Sequence, residues 1–423
     1  MSVKCRVYPT SDVAARMREF VDHERFLINL SVEQYDFAHR YRAYAAHPDE
    51  AVKSRQHWPT NAERMRQLTE LRQELDWLKD GCQAAQQQAL RVADQSFQNW
   101  FKHPGHFRRP SFRSKTDTQG FGLAGAEKNF SVRKLNRKWG EVHVPKTGWV
   151  RFRLTVPWER VQHARSCRFT LDRCGRWHVS FPGPQPGVVC EPTRAMVGID
   201  RGVANTLATS DWVMDHAPAL TAKEEERVLR LERRLARGKN GSKRRGRTRH
   251  QKARLTARLT DRRRAWIEES TTDLVRSYDV IVVEDLTITN MTRSARGTAQ
   301  HPGKNVAAKS ALNRGILAQC WGQWLRRLKE KAATCGVLVV EVSAYNTSRT
   351  CNSCGYKGKD NRESQAVFVC KSCGYERHAD TNAAFNILDR GMEKLGLADG
   401  HAVTAHGASP LGGAVKCEAP QAA

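Results

Sequence analysis

Long hydrophobic runs are missing from this sequence of 423 residues. No stretch of about 18 consecutive apolar residues is present, and a helix that crosses a membrane needs roughly that many. The first ten residues, MSVKCRVYPT, also lack the apolar segment of a secretory signal peptide. We therefore expect a protein that stays in the cytoplasm and does not enter a membrane.

Acidic residues are scarce relative to basic ones. Lys and Arg number 71, Asp and Glu number 44, and the formal net charge is +27. Such an excess repels itself unless a polyanion neutralises it, so nucleic acid is the expected partner. The alternative is a basic protein whose charge serves solubility alone. Hydrophobic residues make up 39% of the chain, which allows cores to form and excludes wholesale disorder.

The cysteines are unevenly placed. Eight of the twelve occur singly, and the other four form two C-x2-C pairs, each followed by Gly-Tyr. In a long, cytoplasmic chain this pattern is typical of a metal site rather than of disulfides. Four thiolates complete the tetrahedron that Zn²⁺ prefers and leave no position open for water. We therefore predict one structural zinc ion, bound by Cys351, Cys354, Cys370 and Cys373.

The first half of the chain combines strands with a block of helices. Apolar residues alternate over residues 3–8 and then recur at helical spacing over residues 11–102. Thr60 and Glu63 fit a capping box at the start of one of these helices. Alternation returns over residues 128–182, where we expect antiparallel strands that include the first strand in their sheet. Closing that sheet into a barrel would remove its edges.

The second half begins after the stiff segment FPGPQPG (181–187), a predicted domain boundary. Residues 222–276 have a helical pattern that we expect to be split by a basic hinge, GKNGSKRRGR (238–247). A helix is expected around Trp321 and Trp324. The pattern also predicts three strands, over residues 195–200, 278–285 and 336–342.

Three acidic residues lie at the ends of apolar elements. Asp200 and Glu284 end predicted strands, and Asp380 begins a predicted helix. Buried carboxylates are costly without cations, and three that converge could hold two Mg²⁺ ions for phosphodiester cleavage. Spacing alone leaves this open, because a carboxylate at a strand end is more often a turn or cap residue. Glu284 and Asp285 point to opposite faces, and the pattern does not choose between them.

Two basic segments are candidates for nucleic-acid contact. In FRRPSFRSK (107–115) arginines could bind phosphates and phenylalanines could stack on bases; the alternative is a basic loop with both phenylalanines in a core. The second runs from Arg227 to Arg264, where the alternative is a solvated helix face. The candidate contact residues are Arg108, Arg109, Arg113, Lys115, Lys243, Arg244, Arg245 and Arg247.

Four segments occur in an order that resembles a known family: GIDRG (198–202), VVEDL (282–286), TSRTCNSCG (347–355) and HADTNAAFNIL (378–388). Together they resemble the split RuvC motifs and embedded zinc ribbon of TnpB, the transposon-encoded RNA-guided nucleases. The miniature type V CRISPR effectors, which descend from TnpB, share this set. The resemblance covers roughly the C-terminal half.

The resemblance implies a multidomain α+β fold with an RNase H-like (RuvC) core and a zinc-ribbon insert. It also implies a β-barrel wedge domain that carries a helical recognition insertion. The implied parts are a wedge barrel at 1–10 and 120–190, a helical recognition lobe at 11–119, a RuvC domain at 191–349 and 374–396, a zinc ribbon at 350–373 and a disordered tail at 397–423.

The resemblance also implies roles. Asp200, Glu284 in preference to Asp285, and Asp380 become catalytic acids that hold two Mg²⁺ ions, and the four cysteines hold the zinc of a target-binding insert. His378-Ala379 stands where members often have Arg or Asp before the last acid.

The partners implied are a guide RNA and double-stranded target DNA next to a short flanking motif. A monomer in a prokaryotic cytoplasm is favoured. The alternatives are a guide-independent RNase H-type nuclease or transposase, and a non-cleaving RNA-guided repressor.

Overall fold

The computed structural model describes residues 2–44, 59–115, 119–125, 129–183, 188–298 and 300–397. The chain divides into two compact units, residues 1–185 and 186–423, and the division lies inside FPGPQPG. Among the described helices, none has the length and apolar character needed to cross a membrane. Most of the tail that was predicted to be disordered, residues 398–423, lies outside the described residues.

Unit one contains a helical block that follows its first strand. The predicted capping box is present: the Thr60 hydroxyl accepts from the Glu63 backbone N–H, and the Glu63 carboxylate accepts from the Thr60 N–H at 2.7 Å. The helices pack through a core that includes Leu27, Leu68 and Leu90. They are α1 (Ser11–Tyr44), α2 (Asn61–Glu74), α3 (Asp76–Lys79) and α4 (Gln83–Lys102).

The sheet of unit one has seven antiparallel strands in the order β2-β6-β7-β1-β5-β4-β3. β1 lies inside this sheet between β5 and β7, although the helical block separates it from them in sequence. That β2 and β3 meet to close a barrel stays a prediction. The strands are β1 (Ser2–Val7), β2 (Gln119–Ala124), β3 (Ser131–Asn136), β4 (Trp139–Val144), β5 (Gly148–Arg153), β6 (Ser166–Leu171) and β7 (Trp177–Pro182).

The sheet of unit two is mixed, with five strands in the order β10-β9-β8-β11-β12. β8, β11 and β12 are parallel, and the hairpin strands β9 and β10 are antiparallel at one edge. The strands are β8 (Met196–Asp200), β9 (Leu207–Thr209), β10 (Met214–Asp215), β11 (Val280–Asp285) and β12 (Leu338–Ser343).

Helices cover both faces of this sheet. One core joins Ile281 to Leu274 and Trp324, and another joins Val282 to Ile387. Apolar residues on both sides explain why β11 has a continuous rather than alternating apolar run. The helices are α5 (Ala222–Arg237), α6 (Lys243–Ser277), α7 (Ile288–Met291), α8 (Val306–Ala318), α9 (Trp321–Cys335) and α10 (Ala379–Lys394).

The predicted basic hinge is shorter than expected. Only residues 238–242 separate α5 from α6, and the sequence from Lys243 onward is helical. Ser242 caps α6, because its hydroxyl accepts from the Arg245 N–H at 3.2 Å. Arginine and lysine favour helix, so a good cap just before them starts the helix early.

Between β12 and α10 the chain forms a small two-stranded ribbon. Its strands, β13 (Val367–Val369) and β14 (Glu376–His378), pair in antiparallel fashion. A small core that contains Phe368 and the side chains of Cys351 and Cys370 lies beneath them.

Candidate functional site

Asp200 and Glu284 lie at the carboxyl ends of the neighbouring parallel strands β8 and β11. Ile199 is level with Val283 in the register, so the two acids that follow are also level. The two carboxyl groups are close enough to affect each other's ionisation. Glu284 is 5% exposed whereas Asp285 is exposed, so the register selects Glu284 as the partner of Asp200.

Asp380 reaches this edge because α10 lies very close to the sheet. A Cβ on Gly198 would be 2.1 Å from the carbonyl oxygen of Ala384, closer than real Cβ atoms come to a backbone oxygen. A Cβ on Gly391 would be 2.3 Å from a methyl carbon of Val282. Two glycines, one on the strand and one on the helix, therefore allow the close approach that brings the first turn of α10 to the end of β8.

The acidic neighbours of Asp200 raise the cost of ionising its carboxyl group. Removal from water raises the pKa of Asp200 well above its usual value, and the charges of Glu284 and Asp380 raise it further, while Arg362 acts in the opposite direction. Burial also raises the pKa of Glu284, partly offset by Thr347 and Arg201. A cation at this site would relieve the same repulsion.

Polar neighbours hold the carboxylates in place. Asp380 accepts from Asn205 Nδ2 at 2.8 Å on one oxygen and from Arg362 Nη2 at 3.0 Å on the other. The Thr347 hydroxyl donates to Glu284 Oε1 at 2.8 Å, and buried Arg201 donates to the Glu284 backbone carbonyl. Sequence reasoning missed these four residues. Arg201 and Thr347 lie inside quoted motifs, but Arg362 lies between the cysteine pairs and carries no sequence signal.

The three acids are neighbours without forming a tight cluster. Within the described residues, the four cysteines are the one set of three or more potential metal ligands whose ligand atoms all lie within 4.8 Å of one another. At least one pair among the carboxylates of Asp200, Glu284 and Asp380 is therefore farther apart than this. Asn205 and Arg362 hold the two Asp380 oxygens in the present arrangement.

The predicted zinc ligands meet as expected. Cys351 Sγ lies 3.8 Å from Cys373 Sγ, and Cys354 Sγ lies 3.6 Å from Cys370 Sγ. A tetrahedral zinc with bonds of about 2.3 Å would place sulfurs about 3.8 Å apart, so the set fits the ion. After each pair, a glycine with positive φ, Gly355 (73°) or Gly374 (71°), donates its N–H to the carbonyl of the first cysteine.

The helix that carries Asp380 also holds the start of the ribbon. Asn382 and Asn386 lie four residues apart on one face of α10. The Asn386 amide donates to the carbonyls of Thr347 and Thr350, both at 2.8 Å, and the Asn382 amide donates to Thr350 at 2.8 Å. Asn382 also accepts from the Asn352 N–H at 3.0 Å. Zinc site and acid site are thus joined through one helix.

Residues 107–113 of the basic segment 107–115 line a groove of about 680 Å³ in unit one. Phe107 is 38% exposed and Phe112 is 58% exposed, so the alternative that both lie in a core is wrong. Arg109 pairs with Asp36 and Arg113 pairs with Glu24, while Arg108 and Lys115 are exposed.

The basic residues at the start of α6 have two different environments. Lys243, Arg244 and Arg247 are exposed. Arg245 is half-buried, and its Nη1 donates to the carbonyls of Leu235 at 2.8 Å and Gly238 at 2.7 Å. It caps the end of α5, so its guanidinium is engaged within the protein.

The sequence of this chain is similar to the sequences of several known proteins. The Putative RNA-guided DNA endonuclease InsQ of Escherichia coli is 30% identical over 409 residues, which cover 96% of this chain and 93% of that protein. The chain belongs to the TnpB family. A Putative RNA-guided DNA endonuclease of Streptomyces pristinaespiralis is 29% identical over 94% of this TnpB chain and 90% of its own. The TnpB-like protein aq_aa05 of Aquifex aeolicus is 40% identical over 70 residues, 15% of this chain and 23% of that one.

Two family models match this TnpB protein in the regions that carry the site. A model described as "Probable transposase" matches residues 186–295, which contain Asp200 and Glu284. A model described as "Cas12f1-like, TNB domain" matches residues 321–387, which contain the four cysteines and Asp380. The resemblance inferred from the motifs is therefore confirmed.

Proposed function

We propose that this TnpB protein is an RNA-guided DNA endonuclease that cleaves double-stranded DNA at one RuvC site after reading a short flanking motif. The observation that carries the proposal is that Asp200 and Glu284 lie level at the ends of adjacent parallel strands, with Asp380 on the helix that packs closely against them. The names of the two full-length relatives support the same activity.

The donors fit Mg²⁺, because carboxylate oxygens are the hard ligands it prefers and the repulsion among these acids favours a cation. Asp200, Glu284 and Asp380 would hold two Mg²⁺ ions. Bound there, they would supply charge stabilisation at the phosphate and activation of water.

Hydrogen bonds from neighbouring residues hold two of the acids in position. Asn205 and Arg362 fix the two oxygens of Asp380, and Thr347 fixes Glu284. These hydrogen bonds restrict the carboxylates before substrate arrives. The Arg362 guanidinium also keeps a positive charge beside Asp380, in a place where a phosphate would approach.

The basic segments supply nucleic-acid contacts. In unit one, Arg108, Arg109 and Arg113 line the groove where Phe107 and Phe112 are open to stacking, and Lys115 follows them in the chain. In unit two, Lys243, Arg244 and Arg247 bind phosphates, and Arg245 acts through the helix end that it caps. The zinc ribbon contacts target nucleic acid, and the protein acts in the cytoplasm, as a monomer.

The test is to substitute Asp200 by Ala, with Asp285→Ala as the matched control on the exposed side of β11. The RNA that purifies with the protein is sequenced, and a plasmid with the complementary site is offered as target. Asp200→Ala should lower the cleavage rate by about three orders of magnitude or more. RNA and target binding should stay unchanged, and Asp285→Ala should cleave normally.

Other outcomes identify the alternatives. Equal loss of binding and cleavage in Asp200→Ala would mean that the acid is structural. Cleavage by the unsubstituted protein without RNA would indicate a guide-independent nuclease. Guided binding without any cleavage would indicate a repressor.

A further inference from the structure

Arg377 is surrounded by aromatic rings at the junction between the two-stranded ribbon and α10. Three ring centres lie near its guanidinium carbon: Trp212 at 4.4 Å, Phe385 at 4.6 Å and Tyr375 at 5.0 Å. We name these three rings the ring cage. Trp212 comes from the turn between β9 and β10, whereas Phe385 lies on α10. The cage therefore joins segments that are about 165 residues apart in the chain.

The rings take the place of a carboxylate partner. Among the residues that the structure describes, no acidic side chain pairs with Arg377. Burial lowers the pKa of its guanidinium, and Tyr375 acts in the opposite direction. A guanidinium over the faces of aromatic rings gains cation–π attraction, and this attraction grows as water is excluded. The cage therefore stabilises the buried charge and fixes the direction of the Arg377 side chain.

Trp212 occupies its place in the cage with a strained backbone. Its φ is 67°, in the left-handed region that favours glycine. A bulky residue persists in this conformation only where its surroundings hold it there. The cage supplies such surroundings, because the Trp212 and Phe385 rings meet at 71° with their centres 6.2 Å apart and Arg377 contacts both.

Two short routes connect the cage to the acid site. Along the chain, Asp380 lies three residues after Arg377, in the first turn of α10. Across the ribbon, Arg377 pairs with Phe368 on β13, and Phe368 in turn pairs with Arg362. The Arg362 guanidinium donates to Asp380 Oδ1 at 3.0 Å. An anchor at Arg377 thus restrains both the acid and one of its hydrogen-bond donors.

We propose that Arg377 is a positioning residue for cleavage, which anchors the ribbon and the first turn of α10 to the β9–β10 turn through the ring cage. It acts on the reaction through Asp380 and Arg362 and does not itself touch the substrate. The inference rests on the proposed function, because the position of Asp380 affects the reaction only if that acid is catalytic. A caged guanidinium could instead bind a phosphate of the target, and the experiment separates the two roles.

The test uses the full chain with the RNA that purifies with it and follows single-turnover cleavage of a saturating matched target. Arg377→Ala should lower the cleavage rate by about 10- to 100-fold, as a displacement near 1 Å does in an active site. Target affinity, measured by filter binding without divalent metal, should stay unchanged. Arg377→Met places an apolar side chain that packs well against rings in the cage, so it should recover most of the rate without the charge.

Hydrogen exchange at the backbone of α10 supplies a readout that does not depend on activity. Arg377→Ala should speed exchange over residues 380–386 by about 2- to 30-fold, the factor that corresponds to one lost cation–π contact. Trp212→Gly should change exchange and cleavage in the same way. Its melting temperature should change little, because relief of the strain at a φ of 67° offsets the lost ring contact.

Two further variants serve as controls. Trp212→Phe keeps a ring in the cage and should cleave close to normally. Arg326→Ala removes an exposed arginine of α9 and should change neither exchange over residues 380–386 nor cleavage. Melting temperatures identify a variant that fails to fold, and Trp212→Gly decides the outcome if Arg377→Ala is one.

Normal cleavage or normal exchange in both Arg377→Ala and Trp212→Gly would overturn the inference while guided cleavage by the unsubstituted protein stands. A loss of target affinity in Arg377→Ala that Arg377→Met does not restore would assign the residue to phosphate binding instead. An unsubstituted protein that cleaves no matched target would overturn the proposed function itself.

Discussion

The zinc site and the acid site of unit two are built in opposite ways. The four cysteines lie between residues 351 and 373, and their sulfurs meet within 4.8 Å through two tight turns of the same kind. The acids come from residues 200, 284 and 380, and two strands, a helix and two glycines are needed to bring them together. A local site depends on its own ligands, whereas a dispersed site depends on the packing of residues that never touch the substrate.

The strongest way to test this contrast is to substitute Gly198, which has no chemical role. Gly198→Ala places a Cβ against the Ala384 carbonyl and must push α10, and with it Asp380, away from β8. We expect cleavage to fall by about 100-fold, since displacements near 1 Å have that effect. Single-turnover cleavage and zinc content are measured together, and zinc should stay bound. Gly246→Ala, with open space around the new methyl group, is the matched control and should cleave normally.

A second substitution removes one ligand of the local site, the zinc site. Cys354→Ser removes a thiolate, so zinc content should fall from about one ion per chain to near zero and the ribbon should unfold. Cleavage should fall about tenfold or more, because Arg362 then no longer holds Asp380. Metal content by emission spectrometry is the measurement. Cys320→Ser, outside the ribbon, should keep its zinc, and a full complement in Cys354→Ser would refute the assignment of the ligand.

The link between the two sites predicts a smaller effect. Asn386→Ala removes the Asn386 donor from the Thr347 carbonyl and leaves the Thr350 carbonyl with Asn382 as its side-chain donor, which costs about 1–3 kcal/mol of stability. Denaturant unfolding measures this loss. Arg390→Ala removes an exposed hydrogen bond from the same helix to Ser343 and should change stability by no more than about 0.5 kcal/mol. Equal losses in the two variants would mean that the asparagine contacts do not join ribbon and helix.

The contrast also explains what could be predicted from the sequence. The cysteine set followed from spacing, because all its determinants are local. The choice of Glu284 over Asp285 needed the register between β8 and β11, a non-local fact that the family resemblance supplied in advance. The contact between Arg362 and Asp380 could not be predicted from the sequence, because an arginine between two cysteine pairs gives no sign of a distant carboxylate partner.

One difference from the sequence-based expectation has a clear physical origin. The pattern predicts a hinge over residues 238–247, because a run of like charges disfavours an isolated helix, whereas a serine cap and packing against α5 favour a helix from Lys243 onward. Arg245 remains a predicted nucleic-acid contact, and its Nη1 already donates to the carbonyls at the end of α5. Tertiary contacts thus outweigh a local charge pattern at the start of this helix.

The position of β1 affects how the protein is made. Val7 pairs with Trp177, about 170 residues later in the chain. At roughly 5–20 residues per second, a ribosome needs about 10–30 seconds to supply that partner. During this time the nascent strand waits with unpaired backbone groups beside the helical block. The order of assembly is then set by chain growth: helices first, because their contacts are local, and the seven-stranded sheet only when its late strands emerge.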